Sequence, residues 1–301
     1  MTEDLPSLSY PKEVPHEAFE LDLIGDPLFT IGVPAKAPSE FKRMVFAAGK
    51  TYVMGNRSVD YMLREYGAIW NVDDAKTHGF HSEYLDICYF VVSHLDGEII
   101  RFKGIKNDDH HGLFAAGSAL LRLQTSFRCA CFLLRQHCWL ELACILKLIL
   151  EQIAWSYVVR SLQGEVLFGA EPTKTVGVFK KFYSTAGKMY GLLNETSHIS
   201  PERTIDYLDF SEKHPGVFLS SGQQSARYAY FLLLLVDMYL VTSEFIHADH
   251  YQKRQLTFID GSGNVTLNPK RKLLKHIDRF RKRLDRLSKQ YYRPKFGAQP
   301  T

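Results

Sequence analysis

Two Glu-x2-His pairs are the first feature with the spacing of a reactive site. Glu195 and His198 form one pair, and Glu244 and His247 form the other. Residues three positions apart share a helical face, so each pair would present a carboxylate and an imidazole together. Helical bundles that bind two metal ions use two such pairs with one glutamate from each of two further helices. Only one of these extra glutamates has a candidate in the sequence, and both pairs lie near predicted helix ends. The alternative is that they cap helices.

Lys147 and Glu151 form a second polar group. They are four residues apart on one predicted helix, which is the spacing of an intrahelical ion pair. Alternatively, the Glu151 carboxylate reaches His198 on a neighbouring helix. Such a contact would fix the tautomer of the imidazole and raise its basicity. In either case, we expect the face of the helix that carries Lys147 and Glu151 to point towards His198.

The remaining polar clusters have simple structural explanations. The run Asp108-Asp109-His110-His111 is typical of the loop that caps a helix, although its residue types suit a metal ion. Asp237 interrupts a run of leucines, and a buried carboxylate needs a partner, for which Arg227 or Arg160 would serve. The sequence predicts no metal site and no cofactor.

Positive charge is concentrated in one segment near the end of the sequence. The segment from Lys270 to Lys295 holds twelve Lys/Arg and two acids, a local net charge of +10, while the other 25 basic and 31 acidic residues give −6. Clustered cations followed by Tyr291, Tyr292 and Phe296 are suited to phosphate contact and base stacking. A solvated helix face, or the site of an acidic protein partner, would have the same charges. The cations expected to bind nucleic acid are Arg271, Lys272, Lys275, Arg279, Lys282, Arg283 and Arg286.

A long helical hairpin would position the first two polar groups. The segment 113–163 is rich in apolar residues, contains no proline, and repeats its apolar positions every three to four residues. Because it is too long for one ordinary helix, we predict a fold-back at 136–138 and a second helix that ends at Gly164. No glycine or proline marks the break, so a single long helix is the alternative. A further helix over 174–193 leads to His198, and Pro201 should end it there.

The other elements are predicted from spacing and turn residues. The segment 1–40 contains half of the twelve prolines and one edge strand at 28–33. Ser39 is the expected N-cap of a helical region that reaches Tyr66 with a break at Gly55. In the mixed segment 81–105, Asp96 and Gly97 resemble a hairpin turn followed by a strand. The end of the chain should form a helix over 223–250, a β-hairpin over 255–267 and a basic amphipathic helix over 269–291.

The composition and the cysteines indicate a compact protein of the reducing cytosol. The chain has 301 residues, of which 46% are apolar and 23% charged. These values are ordinary for a protein with a core. Its five cysteines form no CxxC pair, and the acidic N-terminus is unlike a secretory signal. The apolar run from Tyr228 to Val241 is shorter than the roughly 20 residues of a membrane span and contains Asp237. We therefore expect a cytoplasmic location and no membrane contact.

Two short motifs resemble a group of bacterial HEPN-like helical proteins, over about residues 110–250. One motif is a basic residue, three intervening residues and Glu, followed by small and aromatic residues. The other is a leucine, small polar residues and a histidine at the end of a later helix. The resemblance implies association with RNA, a bacterial toxin or anti-phage defence setting, and a possible homodimer. The matching residues are Lys147, Glu151, Ala154, Trp155 and Tyr157, and then Leu193, Asn194 and His198.

The chain departs from the nuclease members of that group at one position. Those members have an arginine before the Asn-x3-His, and Leu193 occupies this position here. The arginine stabilises the charge that develops at the scissile phosphate, which leucine cannot do. By resemblance, His198 would be the acid/base residue of a metal-independent ribonuclease, with Asn194 and Glu151 beside it. The missing cation would then come from the basic tail or from a second subunit.

These observations predict an all-α helical bundle with an HEPN-like core and small β-hairpin additions. The first hypothesis for function is association with RNA, and a non-catalytic protein-interaction module and a di-metal oxidoreductase are the alternatives. The expected segments are an extended arm (1–40), a mixed subdomain (41–105), the helical core (106–250), and a hairpin with the basic helix (251–301).

Overall fold

The computed structural model divides the chain into two compact units, Met1–Val72 and Asp73–Thr301. The structure describes residues 20–26, 29–55, 58–66, 79–102, 105, 110–198, 208–209, 216–217, 222–250 and 253–290. The prediction of an all-α protein is confirmed, because most of these residues are helical and the strands form only two-stranded antiparallel sheets. Asp108 and Asp109 of the predicted capping run, and the aromatic residues Tyr291, Tyr292 and Phe296, lie outside the described residues.

The first unit contains a β-hairpin and two helices. Strand β1 (Leu21–Asp26) pairs with β2 (Phe29–Pro34), and helices α1 (Ser39–Met54) and α2 (Val59–Tyr66) follow. The buried Lys42 ammonium on α1 donates hydrogen bonds to the Asp22 carboxylate at 2.5 Å and to the Ala35 carbonyl at 3.0 Å. The predicted strand and the break at Gly55 are present, whereas β1 was not predicted. Ser39 is the first helical residue and Pro38 is the N-cap, so the predicted cap was wrong.

The second unit is a bundle of long helices. The helices are α3 (Gly79–Phe102), α4 (His111–Arg135), α5 (Trp139–Val159), α6 (Pro172–Phe179), α7 (Thr185–Ser197), α8 (Gly222–Ile246) and α9 (Lys272–Gln290). Helix α8 lies at the centre, since nearly all of its residues from Ser225 to Ile246 are buried, and it packs against α3, α4, α5 and α9. Helix α5 also packs against α4, α6 and α7.

Helix α3 overturns one prediction. Asp96 and Gly97 are exposed residues within this continuous helix and form no hairpin turn. The residues on either side, Leu95, Glu98 and Ile99, are buried with the spacing of one helical face. Packing of that face against α4 and α8 outweighs the turn preference of an Asp-Gly dipeptide.

The predicted hairpin of α4 and α5 is confirmed, including its fold-back. The turn lies at 136–138, and His137 has a positive φ of 59°. Helix α5 ends at Val159, several residues before the predicted end at Gly164. Gly112, in the first turn of α4, lies against the end of α5, and a Cβ placed there would be 2.2 Å from the Val159 carbonyl oxygen.

The single helix predicted over 174–193 is two helices. Residues 180–184, which include the buried Tyr183, separate α6 from α7. Helix α7 ends at Ser197 with His198 as its C-cap, close to the predicted position. A short strand pair that was not predicted joins β3 (Leu208–Asp209) and β4 (Gly216–Val217). The predicted hairpin near the end of the chain is confirmed as β5 (Thr257–Ile259) paired with β6 (Val265–Leu267).

Among the described residues, two helices are long and apolar enough to cross a membrane. They are α5 and the segment Gln223–Ile246 of α8, and 50% and 83% of their most apolar windows are buried inside the structure. The apolar part of α8 is therefore longer than the run from Tyr228 to Val241 that stands out in the sequence. Length and composition alone are weak support for a span, because core helices have the same properties.

Candidate functional site

Helices α5 and α7 pack against each other and bring the predicted site residues onto one surface. Lys147 and Glu151 lie one turn apart on α5, while Asn194 and His198 lie one turn apart at the end of α7. The Lys147 Nζ atom is 3.3 Å from the His198 Nε2 atom, and the His198 side chain is exposed. Because an ammonium group can only donate, Nε2 accepts this hydrogen bond and the imidazole proton is on Nδ1.

Glu151 has a partner that the sequence did not predict. The Tyr190 hydroxyl on α7 donates a hydrogen bond to the Glu151 Oε1 atom at 3.1 Å. Burial, followed by the negative charge of Glu151, raises the pKa of Tyr190, which keeps the phenol protonated as a donor. The spacing of four residues from Tyr190 to Asn194 is the signal that could have identified it.

The structure shows neither of the two contacts considered for Glu151. Among the described residues, Glu151 forms its hydrogen bond with Tyr190 and none with His198, and no ion pair joins it to Lys147. Lys147 is directed to His198 and lies 5.8 Å from the centre of the Tyr190 ring. Leu193, at the position of the missing arginine, is fully buried, so its side chain belongs to the core.

The second Glu-x2-His pair has a structural role. The buried Glu244 carboxylate accepts hydrogen bonds from the backbone amides of Gln255, Leu256 and Thr257 at 2.7–3.1 Å. The Thr257 hydroxyl adds a further hydrogen bond at 2.8 Å. These donors occupy both carboxylate oxygens and attach β5 to the end of α8. The described part of the chain contains no group of three metal-ligating side chains, so nothing there supports the di-metal hypothesis.

His247 is buried at the end of α8. Its ring packs edge-to-face on Phe102 at 5.1 Å, and its Nε2 atom has no hydrogen-bond partner among the described residues. Burial, and then the neighbouring His250, lower the pKa of His247 to about 4. His247 is therefore neutral at physiological pH.

The buried Asp237 pairs with Arg271, and not with Arg227 or Arg160 as predicted. The Arg271 guanidinium donates hydrogen bonds to the two Asp237 oxygens at 2.7 and 2.5 Å. The Tyr183 hydroxyl donates a third to Asp237 at 2.6 Å. Arg271 is only 7% exposed. The prediction that it binds nucleic acid was therefore wrong, because its guanidinium is buried in this network at the start of α9.

Helix α9 has an apolar inner face and a cationic outer face. Leu273, Ile277 and Leu284 are buried, and Phe280 packs edge-to-face on Phe90 of α3 at 5.3 Å. At 100° per residue, six exposed cations lie in a sector of about 100° on the opposite side. We call this row the cationic face; it consists of Lys272, Lys275, Arg279, Lys282, Arg286 and Lys289.

Ion pairs at the border of this helix affect two of the predicted cations. Arg283 is half-buried and binds Glu83 at 2.8 Å and Asp86 at 3.0 Å on α3. Its main contribution is therefore to attach α9 to α3. Lys282 is exposed and pairs with Asp278 at 2.7 Å. Lys289 was not among the predicted residues, although it continues the same spacing.

The remaining candidate residues from the sequence are His110 and the five cysteines. The His110 side chain caps α4, since its Nδ1 atom accepts the Leu113 backbone N–H at 3.2 Å. All five cysteines are free, and Cys88 and Cys131 are buried. Burial raises the pKa of the Cys138 and Cys144 thiols, which makes both weaker nucleophiles at neutral pH.

Comparison of the chain with family models, with curated proteins and with solved structures gave no match in any of the three.

Proposed function

We propose that this protein associates with nucleic acid, namely RNA, through the cationic face of α9. The observation that carries the proposal is the alignment of six exposed Lys and Arg side chains along one side of a helix attached to the bundle by its other side. Their spacing alternates between three and four residues, which keeps them in line over about 25 Å of helix.

The type of contact follows from the side chains present. Lysine and arginine bind phosphate oxygens without reading base identity. Phe280, the aromatic residue among those described on α9, packs on Phe90 and is not positioned to stack on a base. Binding through this face should therefore depend strongly on salt and weakly on sequence.

The test neutralises part of the cationic face. The triple variant Lys275→Gln, Arg279→Gln and Lys282→Gln should bind an RNA duplex more weakly. The slope of log K against log salt should fall by about 3, roughly one unit for each lost phosphate contact. The matched control changes three exposed lysines elsewhere, Lys180, Lys181 and Lys188, to Gln. Equal binding by the wild type and the α9 variant would contradict the proposal.

A second candidate function is metal-independent ribonuclease activity at His198. It is supported by the exposure of the imidazole and by the polar side chains of Glu151, Asn194 and Tyr190 on the same surface. This activity would fit a cytoplasmic toxin or defence protein, alone or as a homodimer. Cleavage by the wild type that is lost in His198→Ala, while RNA binding is retained, would support it. A His198→Ala variant as active as the wild type would rule it out.

The alternative is a non-catalytic module that binds an acidic protein partner through the same face. The charges alone suit both partners, so the experiment has to separate them. Competition between an RNA duplex and an acidic polypeptide such as polyglutamate provides this separation. If RNA is displaced only by a large molar excess of polyglutamate residues, RNA is the preferred partner.

A further inference from the structure

We infer that Lys147 completes the His198 site and that the two residues bind a phosphate group of an RNA strand. This inference rests on the proposed ribonuclease function, and it identifies a substrate-binding residue that the sequence did not assign. The sequence placed the missing cation in the basic tail or in a second subunit. In the structure, a cation on the neighbouring helix α5, the Lys147 Nζ atom, lies 3.3 Å from the His198 Nε2 atom.

The hydrogen-bond arrangement leaves the charge of Lys147 available. Lys147 and Glu151 have ion-pair spacing, but within the described ranges they form no ion pair. Glu151 instead accepts the Tyr190 hydroxyl at 3.1 Å. Lys147 therefore points across the interface of α5 and α7 towards an exposed imidazole. A neutral imidazole offers only a weak partner for an ammonium group, whereas a phosphate oxygen forms a charge-assisted hydrogen bond.

The geometry suits an anion with two oxygen atoms. The two nitrogen atoms are separated by little more than the spacing of adjacent oxygens in a phosphate group. One phosphate oxygen can accept from the Lys147 ammonium while a second accepts from the Nε2–H group of the protonated His198 imidazole. When the imidazole is protonated, the anion also removes the repulsion between two neighbouring cations. Lys147 would thus contact the substrate, and Tyr190 would act as a positioning residue that holds Glu151 away.

The first experiment measures phosphate binding directly, without activity as the readout. The imidazole ¹⁵N and ¹H signals of His198, assigned by their loss in His198→Ala, are followed during titration with a dinucleoside monophosphate. The same titration with inorganic phosphate shows whether a free phosphate competes for the site. The signals should shift with the dinucleotide and remain unchanged with a nucleoside that lacks phosphate. A shift with inorganic phosphate alone would overturn the assignment to an RNA strand.

Variants separate the role of Lys147 from a general effect of charge. Lys147→Ala should weaken dinucleotide binding about tenfold or more, the effect of losing one charge-assisted hydrogen bond, and Lys147→Arg should largely restore it. Tyr190→Phe should also weaken binding, because Glu151 becomes free to pair with Lys147. The control is Lys188→Ala, an exposed lysine on another face of α7. Unchanged binding by a folded Lys147→Ala protein would overturn the inference.

The outcome is distinguishable from failure of the proposed functions. The cationic face of α9 is tested by duplex binding, whereas Lys147 is tested by the His198 signals. If the α9 variant binds RNA like the wild type while Lys147→Ala loses the shift, only the proposal for α9 fails. If His198→Ala still cleaves RNA but Lys147→Ala loses the shift, the phosphate site remains and the catalytic role of His198 is wrong.

Discussion

The Glu244 carboxylate receives both the backbone amide of Thr257, at 2.7 Å, and the hydroxyl of the same residue, at 2.8 Å. The amides of Gln255 and Leu256 complete the shell around it. Backbone donors that a neighbouring strand does not pair need other acceptors, and here a side chain at the end of α8 provides one for three successive residues. The carboxylate therefore fixes the path by which the chain leaves α8 and enters β5.

Replacing Glu244 by Gln should destabilise the protein by about 2–3 kcal/mol, because an amide lacks the charge and offers only one accepting oxygen to several donors. Urea denaturation gives the free energy of unfolding, and amide hydrogen exchange at 255–257 should become faster. Glu141→Gln, at an exposed position on α5, is the control and should change stability by less than about 0.5 kcal/mol. Equal effects of the two changes would contradict the role of Glu244.

Removing one partner of the pair between Asp237 and Arg271 should cost more. Asp237 is fully buried, so Arg271→Met leaves its carboxylate without its cation and should destabilise the protein by about 3–5 kcal/mol. The double variant Arg271→Met with Asp237→Leu removes both charges and should recover much of this loss. Urea denaturation of the single and double variants measures the coupling. A double variant that is less stable than Arg271→Met would show that the pair is not the cause.

Two helical glycines should respond to alanine in opposite directions. At Gly97, nothing lies within 4 Å of the position of a Cβ, so Gly97→Ala should stabilise α3 by about 0.5–1 kcal/mol. At Gly112, the Cβ would be 2.2 Å from the Val159 carbonyl oxygen and 2.4 Å from that of Leu162, so Gly112→Ala should be strongly destabilising. Thermal unfolding of both variants tests this. A loss of stability in Gly97→Ala would favour the turn that the sequence suggested.

Burial of His247 should make stability depend on pH. Its pKa falls from 6.5 to about 4 on folding, so the folded state favours the neutral imidazole. The corresponding stability is complete above pH 6.5 and is lost as the pH falls towards 4, by up to about 3 kcal/mol. In His247→Phe, this part of the acid sensitivity should disappear. Unfolding free energies of both proteins between pH 4 and 8 test it, and parallel curves would contradict it.

Apolar periodicity was sufficient to predict the long helices α4, α5, α8 and α9 and their order, but not α3. The fold-back at 136–138 and the hairpin after α8 agree with the structure. The errors occurred where local preferences opposed packing. Asp96 and Gly97 suggested a turn, but the buried residues on either side of them keep α3 continuous. The sequence between α6 and α7 contains no proline that would mark a break. The interruption is seen only in the structure, where residues 180–184, which include Tyr183, are not helical.

The site could be predicted only in part, because side-chain partners depend on how helices pack. Spacing placed Glu151 and Lys147 on one face and His198 at the end of a helix, and packing brings them to one surface. The sequence could not show that Tyr190 would take Glu151 and leave Lys147 to His198. Similarly, Arg271 lies in a basic run of the sequence. Only the structure shows that it lies against α8, where its guanidinium pairs with the buried Asp237 carboxylate.

The partnership of Asp237 and Arg271 also has a consequence for biosynthesis. The two residues are 34 positions apart, and Arg271 leaves the ribosome after the whole of α8. Until then, the most deeply buried helix carries a carboxylate without its cation, so the nascent bundle should remain loosely packed around α8. Completion of the core is therefore delayed until the segment that begins at Arg271 has been translated.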